Sequence, residues 1–343
     1  MNNLQLTYTP YSAKLKKPFQ TSGTTITVRR GFILILKSEN KSIGIGEAAP
    51  LPEFGSETYE ETEKALANLN LKLSLDLNNI ELSIEENLNE FNNLPSLKCG
   101  LELAILKLIS NEKKIPISKL LKRKQADKIF VNGVIGLEHV DKAAGSAKEL
   151  LDKGFKTLKL KTGRDNFEDD FNVISEIRKI AGSEIKIRID SNGKWNVDEA
   201  ADYLNRLEQF DIEYAEQPVK DLNDFSVLKE KTKVPLAADE SIRKPEDAES
   251  AIFNKSVSYL ILKPMMTGGI IPVLNIADLA KKNGIESIVT SSFEGAIGRI
   301  GAVYSAALIN NDFAHGLATG DFFDEENVPD PFPVSDGKIE FKE

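Results

Sequence analysis

The stretch Thr157-Leu-Lys-Leu-Lys161 places two lysines two residues apart in a short apolar run. Side chains two apart on a β-strand point to the same face, so Lys159 and Lys161 would project together, opposite Leu158 and Leu160. Two ammonium groups held close together lower each other's pKa, and a lysine tuned in this way can act as a base near neutral pH. The simpler interpretation of the stretch taken alone is a half-buried strand with a solvated lysine face.

The chain around this stretch alternates short apolar strands with amphipathic helices from residue 129 onward. Seven or eight strand–helix units in a row predict a parallel sheet with helices outside it. With so many units we expect closure into a barrel, an α/β fold of the (β/α)7β TIM-like type. A doubly wound open sheet is the alternative, although no Gly-x-Gly-x-x-Gly follows the first strand. The predicted strands are 129–135, 157–161, 185–190, 212–216, 235–239, 259–263, 287–290 and 313–317.

The residues before the barrel pattern have a different character. Three short strands are predicted at 4–8, 28–36 and 42–47, followed by a helix at 57–69. Residues 66–94 are rich in leucine, asparagine and glutamate, which indicates helix and loop, and helical spacing returns at 96–111. This part of the chain therefore predicts a small α+β domain.

Composition excludes several classes of function. The net charge is −9, which argues against nucleic acid or an anionic membrane as the main partner. The single cysteine, Cys99, allows no internal disulfide, and no secretory signal or membrane-spanning run is visible, so we expect a cytoplasmic location. Only two histidines, His139 and His315, are present, which rules out a histidine-rich metal site. A small-molecule substrate is the partner that this composition leaves open.

Polar residues close five consecutive predicted barrel strands. They are Lys161, Asp190, Glu216, Asp239 and Lys263, spaced 29, 26, 23 and 24 residues apart, about one strand–helix unit each. In a parallel barrel the active site lies where the strands end and their following loops begin. The five side chains are therefore expected to surround one mouth of the barrel.

The three carboxylates of this set would repel one another in a dry mouth unless they are neutralised. Oxygen ligands of this kind suit Mg²⁺, which keeps positions open for water or substrate. Each residue also has a local explanation: a turn at Asp190, a strand stopped by Pro218 at Glu216, a helix cap at Asp239 and a solvated strand end at Lys263. One cation accounts for all the positions and their order, so the joint pattern favours a metal site.

The motifs that carry these residues resemble those of the enolase superfamily, in its muconate-lactonising subgroup. The resemblance covers nearly the whole chain and implies an α+β capping domain over residues 1–95, a barrel over 96–317 and a carboxy-terminal segment, 318–343, that returns to the capping domain. The matching stretches are Lys159-Leu-Lys161, Asp190-Ser-Asn-Gly-Lys-Trp195, Glu216-Gln-Pro218, Ala238-Asp-Glu-Ser241, Leu262-Lys-Pro264 with Gly268-Gly269, and Ser291-Ser-Phe-Glu-Gly-Ala-Ile-Gly298.

The resemblance also implies a mechanism. A divalent metal, Mg²⁺ or in its place Mn²⁺, would be held by Asp190, Glu216 and Asp239 and would bind the carboxylate of a small-molecule substrate, as is known for this superfamily. Lys161 would be the base, Lys159 would tune and position it, and Lys263 would face the other side of the substrate. The supporting residues implied around the metal are Asn192 and Glu240, and those implied to contact substrate are Ser291, Ser292 and Glu294.

Three activities of the subgroup are compatible with this set: o-succinylbenzoate synthase, dipeptide epimerase, and cycloisomerase or N-acylamino acid racemase. Dipeptide epimerases share an Asp-x-Asp pair after the eighth strand that binds the substrate's ammonium group. Here Thr319-Gly-Asp-Phe-Phe-Asp324 gives Asp321 no partner at that spacing, and Ser291-Ser292 with the ending His315-Gly-Leu-Ala-Thr-Gly320 look more like the synthase. The resemblance therefore favours the synthase, a Mg²⁺-dependent dehydratase. The alternative is a dipeptide epimerase or an N-acylamino acid racemase or cycloisomerase, and a non-catalytic metabolite-binding barrel is less favoured.

Two further expectations concern the surroundings of the mouth. Thr21-Ser-Gly-Thr24 and residues 51–55 are flexible by composition and, as capping loops, are expected to cover the mouth and exclude water. His315 lies near the end of the last predicted strand and is expected to be structural rather than catalytic.

Overall fold

The amino-terminal part of the chain forms a three-stranded antiparallel sheet of β1 Gln5–Gln20, β2 Thr25–Lys37 and β3 Ile43–Ala48. The computed structural model describes residues 4–20, 25–242, 244–323 and 329–343. The predicted flexible loop 21–24 lies outside the described residues. β1 runs far beyond the predicted 4–8, because its lysine-rich second half also pairs with β2, as far as Gln20 opposite Thr25.

Helices cover one face of this sheet. α1 Tyr59–Ala67 begins at a capping box in which the Thr58 hydroxyl accepts from the Glu61 N–H and the Glu61 carboxylate accepts from the Thr58 N–H. The long helix α3 Pro95–Lys113 lies directly on β3. A Cβ on Gly46 would lie 1.9 Å from the Gly100 carbonyl oxygen, so only glycine allows the strand and helix to approach this closely. The remaining helices of this part are α2 Ile80–Asn87 and α4 Ile117–Leu120.

Seven parallel strands in chain order form the second sheet, which curls into the barrel. Residues 314–316 close it, because His315 bridges Val131 on one side and Gly316 bridges Thr290 on the other. The predicted strand 313–317 thus exists as isolated bridges. The barrel strands are β5 Gly133–Ile135, β6 Thr157–Lys161, β7 Lys186–Asp190, β8 Ile212–Glu216, β9 Leu236–Ala238, β10 Tyr259–Leu262 and β11 Glu286–Val289.

Helices follow these strands on the outside and bury their apolar faces against the sheet, as the alternating pattern predicts. The fold is therefore the predicted TIM-like barrel with an α+β cap. The helices are α5 Val140–Asp152, α6 Phe167–Ala181, α7 Val197–Leu207, α8 Leu222–Lys229, α9 Pro245–Phe253, α10 Pro264–Thr267, α11 Ile270–Lys282 and α12 Ala296–Ile309.

The predicted strand 129–135 is two strands that belong to different sheets. β4 Lys128–Phe130 pairs with β13 Lys338–Glu340, which in turn pairs with β12 Val334–Ser335, whereas β5 begins the barrel after Asn132. Periodicity could not reveal this division, because the partner of β4 lies some 200 residues away in the sequence. The domain limits stay predictions, since α3 packs against both the cap sheet and the barrel helices.

Two buried polar side chains tie the barrel where it closes. Arg188 on β7 donates to the Ala314 carbonyl at 2.6 Å and to Glu213 Oε2 at 2.5 Å, and its guanidinium lies 4.6 Å from the centre of the Tyr214 ring. His315 Nδ1 accepts from the Val289 N–H at 2.9 Å. Burial, with a smaller contribution from Arg188, lowers the pKa of His315 to about 3, so the imidazole is neutral and structural, as expected.

No helix in the described part of the chain combines the length and apolar character needed to cross a bilayer.

Candidate active site

The strand-end residues lie side by side at one mouth of the barrel. The register of the sheet places Lys161 opposite Asp190, and Asp190 opposite Glu216. Asp239 and Lys263 directly follow β9 and β10. The two lysines therefore stand at the two ends of a row of carboxylates, and the structure brings together all five residues of the predicted ring.

Ion pairs link the lysines to these carboxylates. Lys159 Nζ lies 2.5 Å from Glu216 Oε1 and 2.8 Å from Asp190 Oδ2, so one ammonium bridges two buried carboxylates. Lys161 Nζ lies 2.6 Å from Asp190 Oδ2. Lys263 Nζ contacts Asp239 Oδ1. The positive charges of the lysines thus compensate the negative charges of the carboxylates across the mouth.

The carboxylates rather than the neighbouring lysine dominate the electrostatics of Lys159. Burial lowers its pKa, but Asp190 and Glu216 raise it by more, so the net pKa is above its ordinary value. The predicted mutual depression of two lysine pKa values is therefore wrong for Lys159, because the sequence pattern did not show that carboxylates lie closer to it. At Lys263 burial outweighs the carboxylates, and the net pKa falls to about 7.

Asn192 and Glu240 form a supporting layer around these pairs. Asn192 Oδ1 accepts from Lys161 Nζ at 2.9 Å, and its Nδ2 donates to Glu240 Oε1 at 2.7 Å. This geometry uses a left-handed backbone at Asn192, with φ of 48°, which asparagine tolerates. Burial, followed by the charges of Asp190 and Glu216, raises the pKa of Glu240 to about 7. Asn192 thus orients Lys161, a contact that was not expected, and its expected support of a metal stays a prediction.

Gln217 is a positioning residue that the sequence analysis overlooked. Its side-chain Oε1 accepts from the Asp239 N–H at 2.9 Å and from the Ser241 hydroxyl at 3.1 Å. Its Nε2 donates to the Val219 carbonyl at 2.8 Å. The side chain therefore ties the end of β8 to the end of β9 and fixes the spacing of two carboxylates. The available signal was a polar residue placed between a buried Glu and a proline in Glu216-Gln-Pro218.

The donor set suits a hard divalent cation. Asp190, Glu216 and Asp239 are buried oxygen donors on consecutive strands, and oxygen ligands are those that Mg²⁺ prefers. Among the described residues, no three side chains of the His, Cys, Asp and Glu types are gathered closely enough to form a ready-made site. Lysine ammonium groups supply the compensating charge in this arrangement, so a cation would take over part of their role.

The mouth encloses a cavity of about 80 Å³. Three aromatic side chains cover the cavity, and we call them the roof: Phe54, Phe293 and Phe322. Phe293 stacks on Phe322 with ring centroids 5.7 Å apart, and Phe54 meets Phe293 edge-on at 6.4 Å. The Lys263 ammonium lies 5.4 Å from the centre of the Phe54 ring. Because Phe54 belongs to the cap loop 51–55, that loop does cover the mouth. No sequence pattern pointed to the rings of Phe293 and Phe322, which come from separate loops.

Of the residues predicted to contact substrate, the structure places only Ser291 on the cavity wall. Ser292 and Glu294 are buried but lie outside the lining. The Glu294 carboxylate turns back to accept from the Ser292 N–H at 2.6 Å, so both groups are engaged in the turn after β11. The other lining residues are Phe54, Asn132, Val134, Lys159, Lys161, Asp190, Asn192, Asp239, Glu240, Lys263, Thr290, Phe293, Gly316, Ala318, Thr319 and Phe322.

A larger groove, of about 970 Å³, lies between the cap and the outside of the barrel. Lys98 and Asn92 line it on the cap side, and Lys244 and Thr267 on the barrel side. None of the strand-end residues reaches it, so size alone does not identify the chemical site.

Comparison with known proteins identifies the barrel and the cap separately. Residues 142–343 match the family model "Enolase C-terminal domain-like". Residues 8–108 match the family model "MenC, N-terminal domain". Together these matches cover most of both parts of the fold.

Individual relatives are similar over most of their length. An L-Ala-D/L-Glu epimerase from Bacillus subtilis is 29% identical over 305 residues, covering 87% of this chain and 82% of the epimerase. An N-succinyl-L-Arg/Lys racemase from Bacillus cereus is 25% identical, covering 82% and 78%. The structure of a substrate-liganded complex of the Bacillus subtilis epimerase superposes with a TM-score of 0.88 at 26% identity, covering 100% of this chain and 97% of that one.

Proposed function

Because this chain belongs to the enolase superfamily, we propose that it is an o-succinylbenzoate synthase acting in menaquinone biosynthesis. The reaction is the syn-dehydration of 2-succinyl-6-hydroxy-2,4-cyclohexadiene-1-carboxylate to 2-succinylbenzoate. The C1–H and C6–OH bonds break, the ring becomes aromatic and one water leaves. No oxidant or reductant is needed, and the lysines and carboxylates of the site are groups that can transfer protons and compensate charge.

The observation that carries this choice is the side chain at position 323. An Asp-x-Asp pair starting at Asp321 would place its second carboxylate there, but the residue is Phe323, 4% exposed and bridged to Leu15 of the cap. It packs in an apolar cluster with Leu51 and Met265. The side chain of Asp321 and the whole of Asp324 lie outside the described residues. An apolar residue at 323 leaves no ammonium-binding carboxylate at that position, which favours a substrate without an ammonium group.

The match of residues 8–108 to the MenC N-terminal domain supports the same choice. These residues include the cap loop that carries Phe54, so the match concerns a part of the chain that covers the site. The roof of Phe54, Phe293 and Phe322 is also suited to a flat, conjugated ring.

In the proposed reaction the neutral amine of Lys161 removes the proton from C1 and becomes an ammonium. Asn192 and Asp190 hold its ammonium group in place, at 2.9 and 2.6 Å, and so orient the base. Lys161 then returns the proton to the hydroxyl leaving C6 on the same face, and water departs. Lys263 stands at the far end of the carboxylate row, where its charge stabilises the negative charge that develops on the opposite face.

A magnesium ion, or Mn²⁺ in its place, would be held by Asp190, Glu216 and Asp239. When bound, it would supply positive charge against the substrate carboxylate as the adjacent carbon is deprotonated. The support from this chain is the oxygen donor set on consecutive strands, fixed in spacing by Gln217.

Dipeptide epimerisation is the second candidate, and the names of the curated relatives favour it. The Bacillus subtilis relative is an L-Ala-D/L-Glu epimerase, and the Bacillus cereus relative is an N-succinyl-L-Arg/Lys racemase. In such a reaction Lys161 and Lys263 would act as base and acid on opposite faces of one carbon. Their placement at the two ends of the carboxylate row is compatible with either chemistry.

A two-substrate assay on the purified protein separates these candidates. We expect dehydration of the cyclohexadiene carboxylate, measured as the loss of diene absorbance. We also expect no exchange of solvent deuterium into L-Ala-L-Glu in D₂O. Deuterium exchange into a dipeptide or an N-succinyl amino acid at turnover rates, without dehydration, would replace the synthase by an epimerase or racemase. Absence of both reactions with metal present would leave a metabolite-binding barrel.

A further inference from the structure

Arg29 is a buried arginine of the cap sheet whose donors are all directed at loop carbonyls. It is 3% exposed. Its Nη2 and Nη1 donate to the carbonyls of Ala49 and Pro50 at 2.8 and 2.9 Å, and its Nε donates to the Phe293 carbonyl at 3.0 Å. The first two carbonyls open the cap loop that carries Phe54, and the third belongs to the barrel loop after β11. One guanidinium therefore joins the two loops that supply two rings of the roof.

Glu47, on the neighbouring strand β3, holds the same barrel segment by its N–H groups. Its Oε1 accepts from the Gly295 N–H at 2.7 Å and its Oε2 from the Gly298 N–H at 2.8 Å. These donors lie at the beginning of α12, where a carboxylate is favoured by the helix dipole. The Tyr11 hydroxyl donates to Glu47 Oε1 at 2.5 Å and fixes its orientation. Glu47 is 1% exposed, so these bonds are shielded from water.

Phe293, at the start of the segment that these contacts hold, has a strained backbone. Phe293 adopts a left-handed conformation, with φ of 58°, which costs a bulky residue about 1–3 kcal/mol unless its surroundings impose it. Its carbonyl is bound by Arg29, and the N–H groups two and five residues later are bound by Glu47. Arg29 and Glu47 of the cap thus hold the strained residue by its carbonyl and the segment that follows it by two N–H groups.

We propose that Arg29 and Glu47 form a clamp between cap and barrel that positions Phe293 and the Phe54 loop over the cavity. They are positioning residues, since neither lines the cavity or reaches the strand-end lysines. The clamp couples the two loops of the roof, because one guanidinium binds carbonyls on both of them. The proposal requires the strand-end mouth to be the substrate site but is independent of which substrate the site takes.

Hydrogen–deuterium exchange tests the clamp without an assay. In Arg29→Met, peptides covering 47–56 and 290–299 should both exchange at least about tenfold faster, because the loops then open independently of global unfolding. Arg30→Met is the matched control on the adjacent residue, whose exposed guanidinium lies 3.8 Å from the centre of the Tyr59 ring. That variant should leave both peptides unchanged.

Glu47→Gln provides a second test that does not depend on Arg29→Met folding well. A glutamine has one acceptor oxygen and can hold only one of the two N–H groups, so exchange should rise in 290–299 more than in 47–56. Arg29→Lys, which keeps the charge but not the three-way fork, should protect the peptides only partly.

Steady-state kinetics provide a third test, with the substrate that the two-substrate assay identifies. Arg29→Met should raise KM by about tenfold or more with kcat changed less than about threefold, the pattern of lost substrate enclosure. Faster exchange in both peptides with no turnover on any substrate would support the clamp while overturning the proposed function. Unchanged deuterium exchange in both peptides would overturn the clamp. Faster exchange spread over the whole chain would do the same.

Discussion

The ring of charged residues at the barrel mouth and the aromatic roof above it are built in opposite ways. The ring takes one residue from the end of each of five consecutive strands, and neighbours such as Asp190 and Glu216 are register partners in the sheet. The roof takes Phe54 from the cap, Phe293 from the loop after β11 and Phe322 from a turn near the carboxyl end. Its parts are joined only by the folded arrangement of distant segments.

This difference separates chemistry from enclosure. The ring holds the groups that can move protons and compensate charge, on strands whose hydrogen bonds fix every position. The roof holds the phenylalanine side chains that exclude water, on loops fixed by a few side chains such as Arg29. Damage to the ring should therefore appear in kcat, and damage to the roof in KM.

Metal removal gives the largest expected effect and concerns the ring alone. A chelator should reduce turnover below detection, because developing negative charge on the substrate would lose its main stabilisation. Mg²⁺ should restore it. Deuterium exchange in peptides 47–56 and 290–299 should stay the same with and without metal. Turnover that persists after dialysis against chelator would contradict the assignment of the three carboxylates.

Loss of the proposed base is the next largest effect. Lys161→Ala should lower kcat by about 10²–10⁴-fold, the usual contribution of a positioned general base. Lys156→Ala, an exposed lysine directly before β6, is the control and should retain full activity. Circular dichroism should show the same fold for both variants. A Lys161→Ala protein with kcat near the wild-type value would require another base.

Removal of a roof ring should affect binding more than chemistry. Phe54→Ala deletes a ring that lines the cavity beside Lys263, and we expect KM to rise about tenfold with a smaller change in kcat. Phe253→Ala removes a phenylalanine that is 65% exposed and should leave both constants unchanged. If Phe54→Ala instead lowered kcat at unchanged KM, the roof would be part of the catalytic machinery and the distinction would fail.

The smallest effect concerns a buried carboxyl of the cap that lies in neither region. Glu102 accepts from the Ile270 and Ile271 N–H groups at the start of α11, and its Oε2 has no hydrogen-bond partner among the described residues. Burial raises its pKa to about 8, from 4.5. Between these values the folded protein binds more protons than the unfolded chain, so the free energy of unfolding falls as pH rises.

Glu102→Gln should remove the share of this dependence that Glu102 contributes. Relative to the variant, the free energy of unfolding of the wild type should lose on the order of 1 kcal/mol per pH unit across the window from 4.5 to 8. The variant should show a flatter profile and be the more stable protein at pH 8.5, as measured by urea denaturation. Glu90→Gln, at an exposed site, should keep the wild-type slope. A stability difference between wild type and variant that does not change with pH over this window would contradict the assignment.

Much of the ring could be predicted from the sequence, because its information is periodic. Each strand–helix unit repeats at 23–29 residues, and a polar residue that ends an apolar strand marks the mouth at Lys161, Asp190, Glu216, Asp239 and Lys263. The parallel register then brings together residues that are far apart in the chain. The sequence was wrong about the pKa of Lys159, since spacing shows which lysines are neighbours but not that carboxylates lie closer.

By itself, then, the sequence determined the barrel, the α+β cap and the residues at the strand ends, because these follow from local periodicity and sheet geometry. The tertiary structure decided what has no local signature. It divided the predicted strand 129–135 between two sheets, placed Ser292 and Glu294 behind the cavity wall, and assembled the roof and its clamp. Contacts such as Arg29 with Phe293 join residues 264 positions apart, and only the packing of the cap on the barrel brings them together.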